Sequence, residues 1–175
     1  QPGYAVLISG TLGDHGIAVL EARGHLGFDS HIQSDVAPLN HMIEAILKSV
    51  PEVHVLRDPT RGGLATTLNE IACQSKVSIM VEEEIIPIKQ NVQTACEMLG
   101  FDPLYLANEG KVVVILPAQY AEKALKSLQS SPYGRQAIRI GEIFSDNPGQ
   151  VLLKTQYGST RMLDMLSNEI LPRIC

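Results

Sequence analysis

Three polar turns and a terminal thiol hold the residue types best able to do chemistry in this chain. The turns are Gly13-Asp14-His15-Gly16, Arg57-Asp58-Pro59-Thr60-Arg61-Gly62-Gly63 and Ala107-Asn108-Glu109-Gly110-Lys111. The thiol ends the segment Leu171-Pro172-Arg173-Ile174-Cys175. Thiolate is the nucleophilic form of cysteine, and the Arg173 cation favours it, while the α-carboxylate of Cys175 itself opposes it. A thiol on a backbone tethered at one side only can swing between sites, as a carrier arm must. The plain alternative is a frayed terminus that happens to end in cysteine.

Each turn adjoins a predicted strand, and each has two readings. In the second turn, Gly62-Gly63 lets the backbone approach a ligand closely. The N–H groups that open the following helix attract anions, and Arg61 adds a planar donor fork for phosphate or carboxylate. Asp58 would hold a metal or cap the helix. The sequence lacks the phosphate-loop pattern GxxxxGK[ST], and an ordinary capped turn with Arg61 paired to Asp58 explains the residues equally well. In the first turn His15 suits an acid, base or orienting role. Its alternative makes Asp14 an N-cap and leaves His15 exposed in the first helical turn. In the third turn Glu109 stands just before an apolar strand. A carboxylate there is expected to lose part of its hydration, which suits it to accept a proton. The alternative is a solvated glutamate in a β-turn.

Other chemistry finds little support. His25, His31, His41 and His54 show no metal-ligand spacing, no Gly-x-Ser-x-Gly elbow occurs, and Glu82-Glu83-Glu84 reads as surface. No metal ligand is assigned.

These turns need elements to hold them. Short apolar runs predict strands over Tyr4 to Ser9, Val53 to Leu56, Val77 to Val81 and Lys111 to Leu116. Apolar stripes at helical spacing predict helices from Asp14 to about Gly24, over Leu39 to Val50, Leu64 to Gln74, Pro87 to Leu99 and Ala118 to Leu128. Leu104 to Leu106 reads as extended. Ala137 to Phe144 and Gln150 to Thr155 read as a hairpin around Asp146-Asn147-Pro148-Gly149. Thr160 to Leu166 reads as a last helix or turn. Irregular mixing of strands and helices favours an α+β fold, a mixed sheet flanked by helices, over a doubly wound parallel sheet. One domain is expected over residues 1–166, with a flexible tail over 167–175.

The chain's 175 residues suffice for one sizeable core. A net charge of −5 with no basic block, and no tryptophan, argues against a nucleic-acid surface. No apolar run is long enough for a bilayer and no signal peptide is seen. The three cysteines form no CxxC pair. Cys73 and Cys96 fall on predicted apolar stripes and read as inert core thiols, and a reducing cytoplasmic setting fits best. With no initiating methionine and a strand almost at once, the chain is expected to be a piece of a longer protein.

The segments Ser9-Gly-Thr-Leu-Gly-Asp-His-Gly16, Arg57-Asp-Pro-Thr-Arg-Gly-Gly63, Leu106-Ala-Asn-Glu-Gly-Lys111 and Pro172-Arg-Ile-Cys175 together resemble the carboxy-terminal half of the HypE family of hydrogenase maturation factors. Their order and spacing agree across nearly the whole chain. The second turn alone is less specific, being similar to turns throughout the aminoimidazole ribonucleotide synthetase superfamily. The resemblance implies that superfamily's carboxy-terminal domain fold. It also implies that a partner carbamoyltransferase, HypF, loads a carbamoyl group on Cys175. ATP-dependent dehydration then gives a thiocyanate, and the cyano group passes to iron on the HypC–HypD complex. Glu109 matches the family's base. By the same resemblance Asp14, His15, Asp58, Thr60, Arg61, Gly62, Gly63, Asn108, Lys111 and Arg173 lie around the tail or a phosphate. ATP and Mg²⁺ would be held mainly by an amino-terminal half that this chain lacks. That half would also form most of a full-length homodimer, so the chain alone is expected to be monomeric and inactive. Two other readings stand beside this one. One is a superfamily enzyme acting on a purine precursor or selenide, though neither reaction needs a terminal thiol. The other is a noncatalytic module whose tail docks a partner.

Overall fold

The first strand sets the architecture because both of its faces are apolar. β1 (Tyr4–Ile8) reads Tyr-Ala-Val-Leu-Ile, and Ala5, Val6, Leu7 and Ile8 are all fully buried. A strand with no polar face must sit inside a sheet covered on both sides. In the computed structural model, which describes residues 1–24, 27 and 31–165, β1 does so. The elements that follow are α1 (Asp14–Ala22), α2 (Asn40–Ser49), β2 (Val55–Arg57), α3 (Gly63–Ser75), β3 (Ser78–Glu82) and α4 (Gln90–Leu99). Then come β4 (Val113–Pro117), α5 (Ala121–Gln129), β5 (Ile138–Phe144), β6 (Val151–Lys154) and β7 (Thr160–Met162).

The seven strands form one sheet in the order β2-β4-β1-β5-β3-β6-β7. Only the β3–β6 pair is parallel, so the sheet is mixed and the fold is α+β, as the sequence suggests. Alternate residues of β1 feed two cores. Val6 and Ile8 pack with Leu64, Leu68 and Ala72 of α3 and with Ile79 and Val81 of β3. Ala5 and Leu7 pack with Met42 and Ile46 of α2 and with Ala124 and Leu128 of α5. Each buried Val, Leu, Ile or Met side chain among them contributes about 1.5–3 kcal/mol. A third cluster joins Ile17 and Leu20 of α1 to Val92, Ala95 and Cys96 of α4, with Leu106. Burial raises the Cys96 thiol to about 11.

Four expectations need correction. β5 and β6 do not pair as a hairpin, because β3 lies between them. Residues 145–150 pass round the start of β3, where the Gly149 N–H donates to the Val77 carbonyl at 2.8 Å. The hairpin is instead β6–β7, so residues 160–162 are strand, turned by the segment around Gly158. Pro103–Tyr105 is a 3-10 turn, not an extended stretch, with the Leu104 N–H bonded to Asp102 Oδ1. Cys73 is exposed on α3 with its thiol 3.5 Å from the Gly149 carbonyl, since it lies one position round the helix from the buried Ile71–Ala72 edge.

Candidate functional site

The strand order gathers the three polar turns. β4 runs antiparallel between β2 and β1, so its start lies beside both of their ends. Val113 at the head of β4 is level with Ile8 at the end of β1 and with Arg57 at the end of β2. The first and second turns leave β1 and β2 at this edge, and the third enters β4 there. Residues nearly 100 positions apart in the chain thus meet without any local signal for it.

Asn108 joins them. Its side chain is fully buried and makes a bond to each turn. Its Oδ1 accepts the Gly13 N–H at 2.8 Å. Its Nδ2 donates to the carbonyls of Pro59 at 3.1 Å and Leu106 at 2.9 Å. Its own N–H donates to Pro59 as well, and the Gly16 N–H at the start of α1 donates to the Ala107 carbonyl. An amide is the one side chain that can accept from a helix-opening N–H and donate to two carbonyls at once.

The N-cap of α1 is Gly13, in the left-handed conformation, and no side chain caps the helix. Asp14 is therefore not the N-cap. It is the first helical residue, fully buried, and accepts the Thr11 hydroxyl at 2.5 Å. The Lys89 ammonium lies 2.7 Å from its Oδ1. That contact is one of charge, since Oδ1 has no aligned donor. A carboxylate buried at a helix N-terminus gains further from the helix dipole.

His15 is not exposed either. Its side chain retains 11% exposure and points Nε2 at Glu109 Oε1, 3.9 Å away. That is longer than a hydrogen bond, but catalytic contacts are often loose before substrate binds. His15 Nδ1 lies 2.8 Å from the Ser34 hydroxyl. This hydroxyl also accepts the Val36 N–H at 3.3 Å and keeps its own proton to give. If it gives that proton to Nδ1, the ring proton sits on Nε2 and faces Glu109. Glu109 is only partly desolvated, with 29% of its side chain exposed. It is the carboxylate at this edge that stays both near an imidazole and open to solvent.

Ser34 and Asp35 were invisible in the sequence. They sit in a polar stretch with no periodicity and no motif, and no signal would have found them. Asp35 Oδ1 accepts the Glu109 N–H at 3.2 Å, and its Oδ2 binds the Lys111 ammonium at 2.9 Å. The Lys111 and Asp35 side chains are 10% and 5% exposed, so Lys111 is committed to a buried ion pair. Residues 35–37 pass directly over Gly110, where a Cβ would collide with the Asp35 carbonyl oxygen. Beside them opens a cavity of about 550 Å³ whose lining includes Thr11, Lys89, Lys111, Tyr133 and Arg135.

In the second turn, the Thr60 hydroxyl donates to Asp58 Oδ2 at 2.6 Å. That bond is the main reason the Asp58 carboxyl lies below its ordinary value, with burial opposing and Arg57 assisting. Gly62 caps α3 in the left-handed conformation. Gly63 faces protein and not open space: a Cβ there would lie 2.5 Å from the Leu104 carbonyl oxygen. Its bareness lets α3 press against residues 104–106. Arg57 pairs with Glu70 on α3, and Asp58 and Arg61 form no ion pair among the described residues. No group of three His, Cys, Asp or Glu residues gathers among the described residues as a metal would require. The residues present thus do not fit Mg²⁺ on their own. Arg173, Cys175 and the rest of the tail, and His25, lie outside the described residues.

A family model described as AIR synthase related protein, C-terminal domain, matches residues 1–154. Over its whole length the chain is 51% identical to carbamoyl dehydratase HypE of Cupriavidus necator, of which it covers 50%. The crystal structure of hydrogenase maturation protein HypE in complex with ATP matches all of this chain with 53% of its own. The TM-score is 0.94 and the identity 49%. The crystal structure of a HypE–HypF complex matches 95% of this chain with 54% of its own, at a TM-score of 0.90 and 51% identity. The chain spans about half the length of the curated relatives it matches.

Proposed function

The chain belongs to the AIR synthase related protein family, of which it is a C-terminal domain, and we propose that it serves a carbamoyl dehydratase of hydrogenase maturation. In this reading the whole protein converts a carbamoyl group carried on Cys175 into a cyano group at the expense of ATP. The relatives named carbamoyl dehydratase, and the related structures solved with ATP and with HypF, support it. HypF would load the thiol. The cyano group would leave for iron held by HypC–HypD. ATP would be bound largely outside these residues.

The chemistry explains what the site must supply. In R–S–C(=O)–NH₂ the oxygen is a poor leaving group. Transfer of the γ-phosphoryl group of ATP to that oxygen gives ADP and a bound phosphate ester. The C–O bond then breaks, phosphate departs with the electron pair, and the nitrogen sheds both protons as the C≡N bond forms. A base must take a proton from nitrogen in that step. Glu109 is our candidate, because its main-chain N–H is held by Asp35 and its carboxylate is partly exposed and 3.9 Å from the buried His15 imidazole. That single juxtaposition carries the proposal. His15 would hold the carboxylate in place. Asp58 and Arg61, both exposed, would meet the phosphate or the tail.

The test uses the full-length protein. Glu109→Gln should still accept the carbamoyl group on Cys175, yet lose water from it ~100-fold more slowly, the usual scale for a general base. Mass spectrometry of the terminal peptide separates the two adducts. Dehydration at the unmodified rate would remove Glu109 from the mechanism.

A further inference from the structure

We propose that Asp35 is a positioning residue for Glu109, and that the Ser34-Asp35 pair sets the geometry of the His15–Glu109 contact from a segment outside all three turns. The proposal rests on the reading of Glu109 given above and extends it to residues that no motif contains.

Asp35 grips three consecutive residues of the third turn by three different means. Its Oδ1 accepts the main-chain N–H of Glu109 at 3.2 Å. Its main-chain carbonyl oxygen lies where a side chain on Gly110 would stand. Its Oδ2 binds the Lys111 ammonium at 2.9 Å. A turn held at N–H, Cα and side chain in succession has little freedom left to rotate. The Glu109 side chain therefore leaves the backbone in one direction. The neighbouring Ser34 holds the other partner, with its hydroxyl 2.8 Å from His15 Nδ1. Adjacent residues thus hold the imidazole and the backbone that carries the Glu109 carboxylate separately, and Nε2 and Oε1 stand 3.9 Å apart between them.

The burial pattern supports positioning over surface decoration. The side chains of Asp35 and Lys111 are 5% and 10% exposed, whereas Glu109 between them keeps 29%. The ion pair is kept from solvent while the carboxylate beside it reaches out. Misplacing a reacting group by about 1 Å can cost ~100-fold in rate, so a clamp of this kind matters to chemistry without touching substrate.

The experiment uses the full-length protein, with Cys175 loaded by the carbamoyltransferase and its dehydration followed by mass spectrometry. Asp35→Ala should leave loading unchanged and slow water loss by between ~10- and ~100-fold. Asp35→Asn keeps an oxygen facing the Glu109 N–H and should lose less. The decisive comparison is made in a Glu109→Gln background. A residue that acts only through Glu109 has nothing left to position, so Asp35→Ala should alter the residual rate there by less than about twofold. Should Asp35→Ala fail to fold, the same cycle is run with Asp35→Asn. The inference is overturned if Asp35→Ala dehydrates at the unmodified rate. It is equally overturned if it slows both backgrounds by the same factor, or if a folded Asp35→Asn loses as much as the alanine variant. An unmodified protein that loads but never dehydrates would instead overturn the functional reading, so the two failures are distinct.

Discussion

At the scale of single residues, the site separates groups kept for structure from groups left available. Asp14 and Asp35 are carboxylates buried against cations, and Asn108 is buried among backbone groups. Asp58, by contrast, is exposed and held ionised chiefly by the Thr60 hydroxyl at 2.6 Å. Replacing Thr60 by valine removes that donor while keeping the shape. The Asp58 carboxyl should then rise toward its ordinary value, as read by NMR titration of its carboxyl carbon. The consequence for folding has a definite sign. A carboxyl lowered in the folded state adds stability above the ordinary carboxylate range and loses it as pH falls through the folded-state value. Thr60→Val should therefore reduce the difference in stability between neutral and acidic solution. An unchanged Asp58 titration would mean that the backbone N–H and Arg57, not Thr60, hold the charge.

At the scale of elements, the question is what fastens loops that leave different strands. Asn108 accepts from Gly13 and donates to Pro59 and Leu106, and no other side chain among the described residues spans the three turns in this way. Removing a buried partner leaves its fellows unsatisfied, at about 1–3 kcal/mol for each group. Asn108→Ala should therefore destabilise the fold by several kcal/mol. Asn108→Asp should be worse still at neutral pH, because a carboxylate oxygen would face the Pro59 and Leu106 carbonyls where an amide N–H now sits. Denaturant unfolding ranks the three proteins, and an aspartate variant as stable as the native chain would refute the role of Nδ2. The residues of all three turns were legible in the sequence, since glycine, aspartate and asparagine between apolar runs mark turns directly. Their meeting was not, because it depends on β4 lying between β1 and β2. The β5–β6 link was misread for the same reason: adjacent strands with a turn between them read as a hairpin unless a third strand, here β3, intervenes. Ser34 and Asp35 were missed because a polar stretch without periodicity has no local signature, and only its docking over Gly110 gives it a function.

At the scale of the whole molecule, folding and catalysis divide differently. The sheet is covered by α3 on one side and by α2 and α5 on the other, and the apolar residues of β1 feed both cores. Because both cores draw on this one central strand, the isolated 175 residues should unfold in one cooperative transition. Chemistry asks for more than a folded core. Phosphoryl transfer works by positioning and by neutralising charge on the phosphates, tasks that fall to metal-bound carboxylates and free cations. Among the described residues no such carboxylate group gathers, so even the exposed Arg61 would meet a phosphate with no metal site beside it. We therefore expect the isolated chain, carbamoylated on Cys175 and given ATP, to keep its carbamoyl group. The full-length protein under the same conditions should lose water from it. The mass of the terminal peptide decides the matter, and thiocyanate on the isolated chain would show that these residues hold a sufficient ATP site after all.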